Sequence, residues 1–206
     1  MNNYPVSIDR AKAAPVHDLH TMTSVALLAV ISFALAFFEF PVPLSPSFAK
    51  MDLSDFPALV GAMTLGPWAG VVVELVKNLL GLFTTSTGGV GELANFLMGG
   101  AFAFTAGTVF YRFCGKALTA CLLGSIAMAA TAALANYFIL LPLFESFLPL
   151  EALISSFSEF IPFIHTKLDI VLWNAVPFNL LKCLGISLVT LLVFPKLTPI
   201  LRGAKH

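Results

Sequence analysis

Long apolar stretches separated by short polar segments run through most of the chain, and this pattern predicts an all-α protein with six membrane-spanning helices. We expect the helices at about 23–40, 54–66, 69–83, 92–113, 116–144 and 169–194. A spanning helix needs roughly 20 mainly apolar residues. The second segment is shorter than that, so we expect neighbouring protein to shield it from lipid.

The segments between the helices carry turn and loop signals. Pro41, Pro43 and Pro46 predict an extended first loop. The glycine-rich run TTSTGGVGE forms the third loop, and residues 145–167 form a mixed fifth loop with a short interfacial helix. We therefore expect a single membrane domain over 1–206: a tail at 1–22, a six-helix bundle at 23–194 and a second tail at 195–206.

Composition supports a membrane location. Hydrophobic residues make up 58% of the chain and charged residues 11%, more apolar surface than a soluble core of this size can hide. Eleven basic residues balance eleven acidic ones, which argues against a nucleic-acid partner. The positive-inside rule predicts that both termini are cytoplasmic, because most basic residues then face inward: Arg10, Lys12, Arg112, Lys116, Lys196, Arg202 and Lys205.

Polar residues within the spans gather in the outer half of the predicted bundle. Glu92 and Asn95 open the fourth helix, Asn136 lies near the end of the fifth, and Asn179 and Lys182 lie early in the sixth. Polar groups in a membrane span are costly and often functional, so we predict one outward-facing pocket. The alternatives are that Asn136 links two helices and that Lys182 snorkels or pairs with a carboxylate such as Glu92.

Other polar and small residues have structural interpretations. Glu74, Lys77 and Asn78 share a helix face at i, i+3 and i+4, which favours a local ion pair. The spacing of Gly99, Ala103 and Gly107 is typical of close helix packing. Pro177 predicts a bend in the sixth helix, near Lys182.

The expected pocket favours an uncharged, flat ligand. Arginine occurs only at 10, 112 and 202, all assigned to the inner side, so the pocket lacks the guanidinium that binds phosphate. Asparagine amides both donate and accept hydrogen bonds. We expect aromatic neighbours to suit a ring system, namely Phe48, Phe138 and Phe178.

Three runs carry a family resemblance: LSDFPALVGAMTLGPWAGVVVELVKNLLGLFTTSTGGVGELANFLMGG, then NYFILLPLF, then PFNLLKCLG. In this order they resemble the riboflavin-specific S-components of energy-coupling factor (ECF) transporters, over about two-thirds of the chain. The motif GGVGELANF and the N-x-x-K of the last helix are the most specific matches.

The resemblance implies a bacterial cell-membrane protein of six helices with riboflavin bound near the outer face, under the first loop. By position, the ligand contacts are Asn136, Asn179 and Lys182, joined by Glu92, Asn95, Leu44, Phe48 and Lys50. Such proteins deliver the vitamin with a transmembrane coupling subunit and two ATPases, through small residues on the first helix. The usual A-x-x-x-A is absent here; Ala26, Ala29 and Ala36 form the nearest stripe.

The sequence bears on two rival functions, an intramembrane enzyme and an S-component for another vitamin. The chain has no G-x-x-x-x-G-K-[ST] motif, so it does not hydrolyse ATP itself. Its four histidines and three cysteines show no metal-site spacing, which disfavours an intramembrane enzyme and predicts no metal or cofactor. An S-component for another vitamin stays open: thiamine needs aromatic and acidic groups, and biotin needs a cation, which Lys182 offers.

Overall fold

Helices make up nearly all of the computed structural model, which describes residues 18–41, 50–85, 87–113 and 115–201. Within these ranges there are seven helices: α1 Leu19–Ala36, α2 Asp55–Thr64, α3 Pro67–Gly81, α4 Val90–Arg112, α5 Ala117–Glu145, α6 Leu150–Ser158 and α7 Lys167–Leu201. Two-residue strands, β1 Phe40–Pro41 and β2 Lys50–Met51, pair antiparallel.

Four of these helices, α1, α4, α5 and α7, are long and apolar enough to cross a membrane. At 1.5 Å per residue, the ten residues of α2 span only about 15 Å and the fifteen of α3 about 22 Å. Nine residues of α2 are buried, and the helix packs against α1, α3, α4 and α7. The expected shielding of this short segment is confirmed.

Turn residues set the boundaries of α2, α3 and α4. Ser54 precedes α2, as the sequence predicts, and Gly66 separates α2 from α3 with φ 132°, a conformation that L side chains rarely adopt. Pro67 then occupies the first turn of α3, where its missing N–H costs nothing. Gly88 and Gly89, with φ 64° and 92°, turn the chain into α4.

Two boundaries differ from the sequence prediction. α1 ends at Ala36 rather than near residue 40, because Phe40 enters the strand pair with Met51. α7 continues to Leu201 although a tail was expected from residue 195. Pro195 and Pro199 lie inside the helix without ending it, although each removes one backbone donor and its ring crowds the preceding turn.

Close packing of α4 uses the predicted small residues. A Cβ added to Gly107 would lie 2.8 Å from the Pro67 Cα and 2.9 Å from the Ala62 carbonyl oxygen. One added to Gly99 would lie 2.6 Å from a carboxylate oxygen of Glu74. The interpretation as packing residues is confirmed for Gly107, where neighbouring backbone leaves no room for a side chain, while Gly99 lies against the end of the Glu74 side chain.

Candidate functional site

A cavity of about 370 Å³ lies where α4 begins, α5 ends and α7 begins. Glu39 and Asp52, which flank the strand pair, and Phe157 of the α6 helix complete its walls. Its lining combines amides, carboxylates, one lysine and several aromatic or aliphatic side chains: Glu39, Asp52, Gly91, Glu92, Asn95, Met98, Asn136, Leu140, Leu141, Phe144, Phe157, Ile170, Asn174, Ala175, Phe178, Asn179 and Lys182.

The five polar helix residues predicted as ligand contacts all line this cavity: Glu92, Asn95, Asn136, Asn179 and Lys182. Leu44 and Phe48 lie outside the described residues. Lys50 is described only through its backbone, in β2. The structure therefore brings the predicted helix residues into one place, and the roles of the first-loop residues stay predictions.

The aromatic side of the cavity differs from the expectation. Phe138 is 68% exposed on the outside of α5 and does not line it. Phe178 lines the cavity, together with Phe144 of α5 and Phe157 of α6. The short α6 helix had been expected only as an interfacial element, yet Phe157 is 4% exposed and faces inward.

Two asparagine side chains are fixed by their own helices. The Asn136 amide donates to the Ala132 carbonyl at 2.8 Å, and the Asn179 amide donates to the Ala175 carbonyl at 2.8 Å. Asn136 is the first residue of a π-helical turn at 136–140 in α5. Asn179 lies four residues after a second such turn, at 171–175 in α7. Such turns are common at functional sites. The turn in α7 precedes Pro177, where the sequence predicts a bend.

Lys182 pairs with carboxylates other than the expected Glu92. Its ammonium nitrogen lies 2.9 Å from an oxygen of Asp55 and 3.5 Å from one of Asp52. Glu92 instead accepts hydrogen bonds from the Thr85 and Thr87 hydroxyls at 2.8 and 3.1 Å. Lys182 therefore does pair with carboxylates, as the alternative interpretation held, but Asp55 and Asp52 take the place of Glu92, which is bound to the third loop.

The local ion pair predicted on α3 is present and belongs to a larger buried network. Lys77 lies 2.6 Å from Glu74 and 2.6 Å from the second oxygen of Asp55. The Asn78 amide donates to the Glu74 carbonyl at 2.8 Å, and the Asn95 amide donates to Asn78 at 3.1 Å. The network links two residues that line the cavity, Asn95 on α4 and Lys182 on α7.

A second cavity of about 340 Å³ adjoins the first. The two share Glu39, Asp52, Glu92 and Asn95, and the second extends toward the ends of α1 and α3. The shared wall holds three carboxylates, so the acidic part of the site lies between the two cavities.

The three alanines proposed for docking lie in different environments. Ala26 is exposed on α1, whereas Ala36 is half-buried. Ala29 has no exposed surface because it packs within the cluster that α1 forms with α2 and α3. Ala29 is therefore not available to a partner in this conformation, and the docking role of the three alanines stays a prediction.

Sequence reasoning missed Asp52, Asp55 and Glu39. Asp55 stands at the start of a predicted helix, where a charged residue is ordinary, although charged groups in apolar spans must find partners. A signal was present in principle, because Lys77 and Lys182 are two ammonium groups in predicted spans that contain few carboxylates.

Comparisons with known proteins relate the whole bundle to one group. Residues 20–194 match the family model described as ECF transporter, substrate-specific component. The riboflavin transporter RibU of Staphylococcus aureus (strain TCH60) is 32% identical over 183 residues, covering 88% of this chain and 92% of that protein. The riboflavin transporter FmnP of Bacillus subtilis (strain 168) is 34% identical over 180 residues, covering 85% and 90%.

The fold has a similar relative among solved structures. The structure described as "Structure and mechanism of the S component of a bacterial ECF transporter" matches with a TM-score of 0.69 and 31% identity. The match covers 89% of this chain and 98% of that one.

Proposed function

The chain belongs to the substrate-specific components of ECF transporters, and from this premise we propose that it captures riboflavin in the 370 Å³ cavity. It is a multi-pass membrane protein and a binding component of a transporter rather than an enzyme. One observation carries the proposal: four asparagines surround a single cavity, Asn95, Asn136, Asn174 and Asn179.

Riboflavin has the chemistry that such a lining recognises. The edge of its isoalloxazine ring alternates carbonyl and N–H groups, and each asparagine amide offers both an acceptor and donors. The ring faces are apolar, which suits Phe144, Phe157 and Phe178. The cavity volume falls within the usual range for small-molecule sites.

The charges of the site support an uncharged ligand. Lys182 is engaged by Asp52 and Asp55, and no arginine among the described residues lines the cavity. A biotin carboxylate would have to compete with both carboxylates for the ammonium group. This supports riboflavin over an anionic vitamin.

A cationic vitamin such as thiamine is the second candidate. Glu39, Asp52 and Glu92 on the wall, with three phenylalanines nearby, would suit a cation. Asp52 and Glu92 are, however, already bound to Lys182 and to the third loop. The names of RibU and FmnP also support riboflavin.

We propose six spans with both termini inside, counting α2 and α3 as short spans enclosed by protein. In this arrangement the cavity faces outward. A transmembrane coupling subunit with two ATPases then moves the bound vitamin inward, and exposed Ala26 on α1 contributes to the docking surface.

A binding titration tests the proposal. The detergent-purified protein is expected to carry yellow flavin absorption, or to quench riboflavin fluorescence to a saturable end point. Parallel calorimetric titrations use thiamine and biotin. Heat with thiamine but none with riboflavin would replace the proposed ligand by the second candidate.

A further inference from the structure

Asp55 does not line the cavity but contacts Lys182, which does. Its side chain is 1% exposed, and its two oxygens contact two different lysines. One oxygen is 2.6 Å from Lys77 on α3, and the other is 2.9 Å from Lys182 on α7. A single carboxylate on α2 therefore fixes two ammonium groups that come from separate helices.

Of these two lysines, Lys182 is the one that lines the main cavity. A second carboxylate, that of Asp52, lies 3.5 Å from its nitrogen. Asp52 is itself held in place, because the Ser54 backbone N–H donates to its other oxygen at 2.7 Å. The ammonium group is therefore flanked by two carboxylates, and its charge is balanced before any ligand arrives.

The remaining charge on the cavity wall is negative. Glu39, Asp52 and Glu92 line the cavity, and none of its described lining residues is an arginine or a second lysine. With Lys182 balanced by Asp55, a phosphate dianion entering this cavity would meet carboxylates and, among the described lining residues, no available cation. Phosphate binding depends on charge-assisted donors, so such a ligand is disfavoured.

We propose that Asp55 is a positioning residue that determines specificity: by holding and neutralising Lys182, it makes the cavity select an uncharged flavin over its phosphate ester. The inference rests on the proposed function. Without the Asp55 carboxylate, Lys182 keeps only the longer contact to Asp52. Its donors then become available to a phosphate group inside the cavity.

The test compares riboflavin with flavin mononucleotide on the full-length protein in detergent. The measured quantity is the ratio of the two dissociation constants, Kd for the phosphate ester over Kd for riboflavin. In Asp55→Asn, which keeps the size of the side chain, we expect this ratio to fall about tenfold, the effect of one charge-assisted hydrogen bond. A purely structural loss would weaken both ligands and leave the ratio unchanged.

Two further variants locate the effect. Glu74→Gln is the matched control, since it removes a buried carboxylate that contacts Lys77 and not Lys182; its ratio should equal that of the wild type. In the double variant Asp55→Asn/Lys182→Met the gain in phosphate binding should disappear. An equal shift in Glu74→Gln, or a gain that survives the loss of Lys182, would overturn the assignment.

A milder variant covers the case in which Asp55→Asn does not fold. Asp52→Asn removes the more distant carboxylate, whose side chain is 16% exposed, and should lower the ratio in the same direction but less. An unchanged ratio in Asp52→Asn, with Asp55→Asn unfolded, would count against the proposal. Wild-type protein that binds neither flavin would instead refute the proposed function, so the two failures are distinguishable.

Discussion

The ammonium group of Lys77 lies 2.6 Å from a carboxylate oxygen of Asp55, and both side chains are almost completely buried. The pair joins α3 to α2, whose residues are nearly all enclosed by protein. Glu74 lies equally close to the same ammonium group, so one lysine stabilises two buried carboxylates.

Replacing this lysine should therefore destabilise the fold. In Lys77→Met the carboxylates of Asp55 and Glu74 lose their shared partner, and we expect the free energy of unfolding to fall by about 3 kcal/mol or more. The measurement is thermal unfolding of the detergent-solubilised protein. Lys167→Met is the control: it breaks the half-exposed pair with Glu145, which should cost only about 0–1 kcal/mol. Equal losses would contradict a special role for the buried pair.

Alanine substitutions at two separate glycines, Gly107 and Gly185, test the helix packing. In Gly107→Ala the new methyl group would meet the backbone of Pro67 and Ala62, which cannot move aside, and we expect a loss of about 1–3 kcal/mol. Gly185→Ala on α7 adds the same methyl group where nothing lies within 4 Å. That control should be neutral or slightly stabilising. Thermal midpoints of the two variants give the comparison, and matching midpoints would refute the close contact.

Asn136 tests the ligand site. We expect Asn136→Ala to weaken riboflavin binding by about 1–3 kcal/mol, because one polar contact to the ligand is lost. Fluorescence titration measures the affinity. Thr131→Ala on the same helix is the control: its hydroxyl donates to the Ala127 carbonyl and it does not line the cavity. Wild-type affinity in Asn136→Ala would remove this residue from the site.

Accessibility labelling tests the proposed topology. In a variant without the three native cysteines, a cysteine at Ser156 on exposed α6 should react with a membrane-impermeant thiol reagent on intact cells. A cysteine at Lys116, in the exposed turn between α4 and α5, should react only after the cells are opened. The reverse pattern would invert the proposed orientation and turn the cavity toward the cytoplasm.

The exposed alanine of α1 tests docking to the coupling subunit. A bulky side chain at Ala26 should prevent close helix approach, so we expect Ala26→Trp to reduce riboflavin uptake by cells while the purified protein keeps its affinity. Leu122→Trp on the exposed face of α5 is the control. If the two variants transport equally well, Ala26 is not part of the docking surface.

Local patterns predicted most of the helices. Apolar runs, the Ser54 start of α2 and the Gly66–Pro67 break needed only short-range information, because propensity and turn chemistry act over a few residues. The end of α7 could not be predicted in this way, since Pro195 and Pro199 are compatible with a helix that has already formed.

The candidate site was predicted in part. Asn136, Asn179 and Lys182 were identifiable because polar residues stand out in an apolar span. The partners of Lys182 were not, since Asp52 lies 130 residues away and adjacency in space has no local signature. Phe157 was missed for a related reason: an apolar residue in a short outer helix does not differ from its neighbours in the sequence.

The Asp55–Lys77 contact also has a consequence for how α2 and α3 are inserted into the membrane. The two residues are only 22 positions apart, on consecutive helices joined at Gly66, so a nascent hairpin can neutralise its own charges before the rest of the polypeptide is synthesised. A ten-residue helix bearing a lone carboxylate would enter lipid poorly. We expect the translocon to release α2 and α3 as one insertion unit, with Lys182 joining them only when the last helix is made.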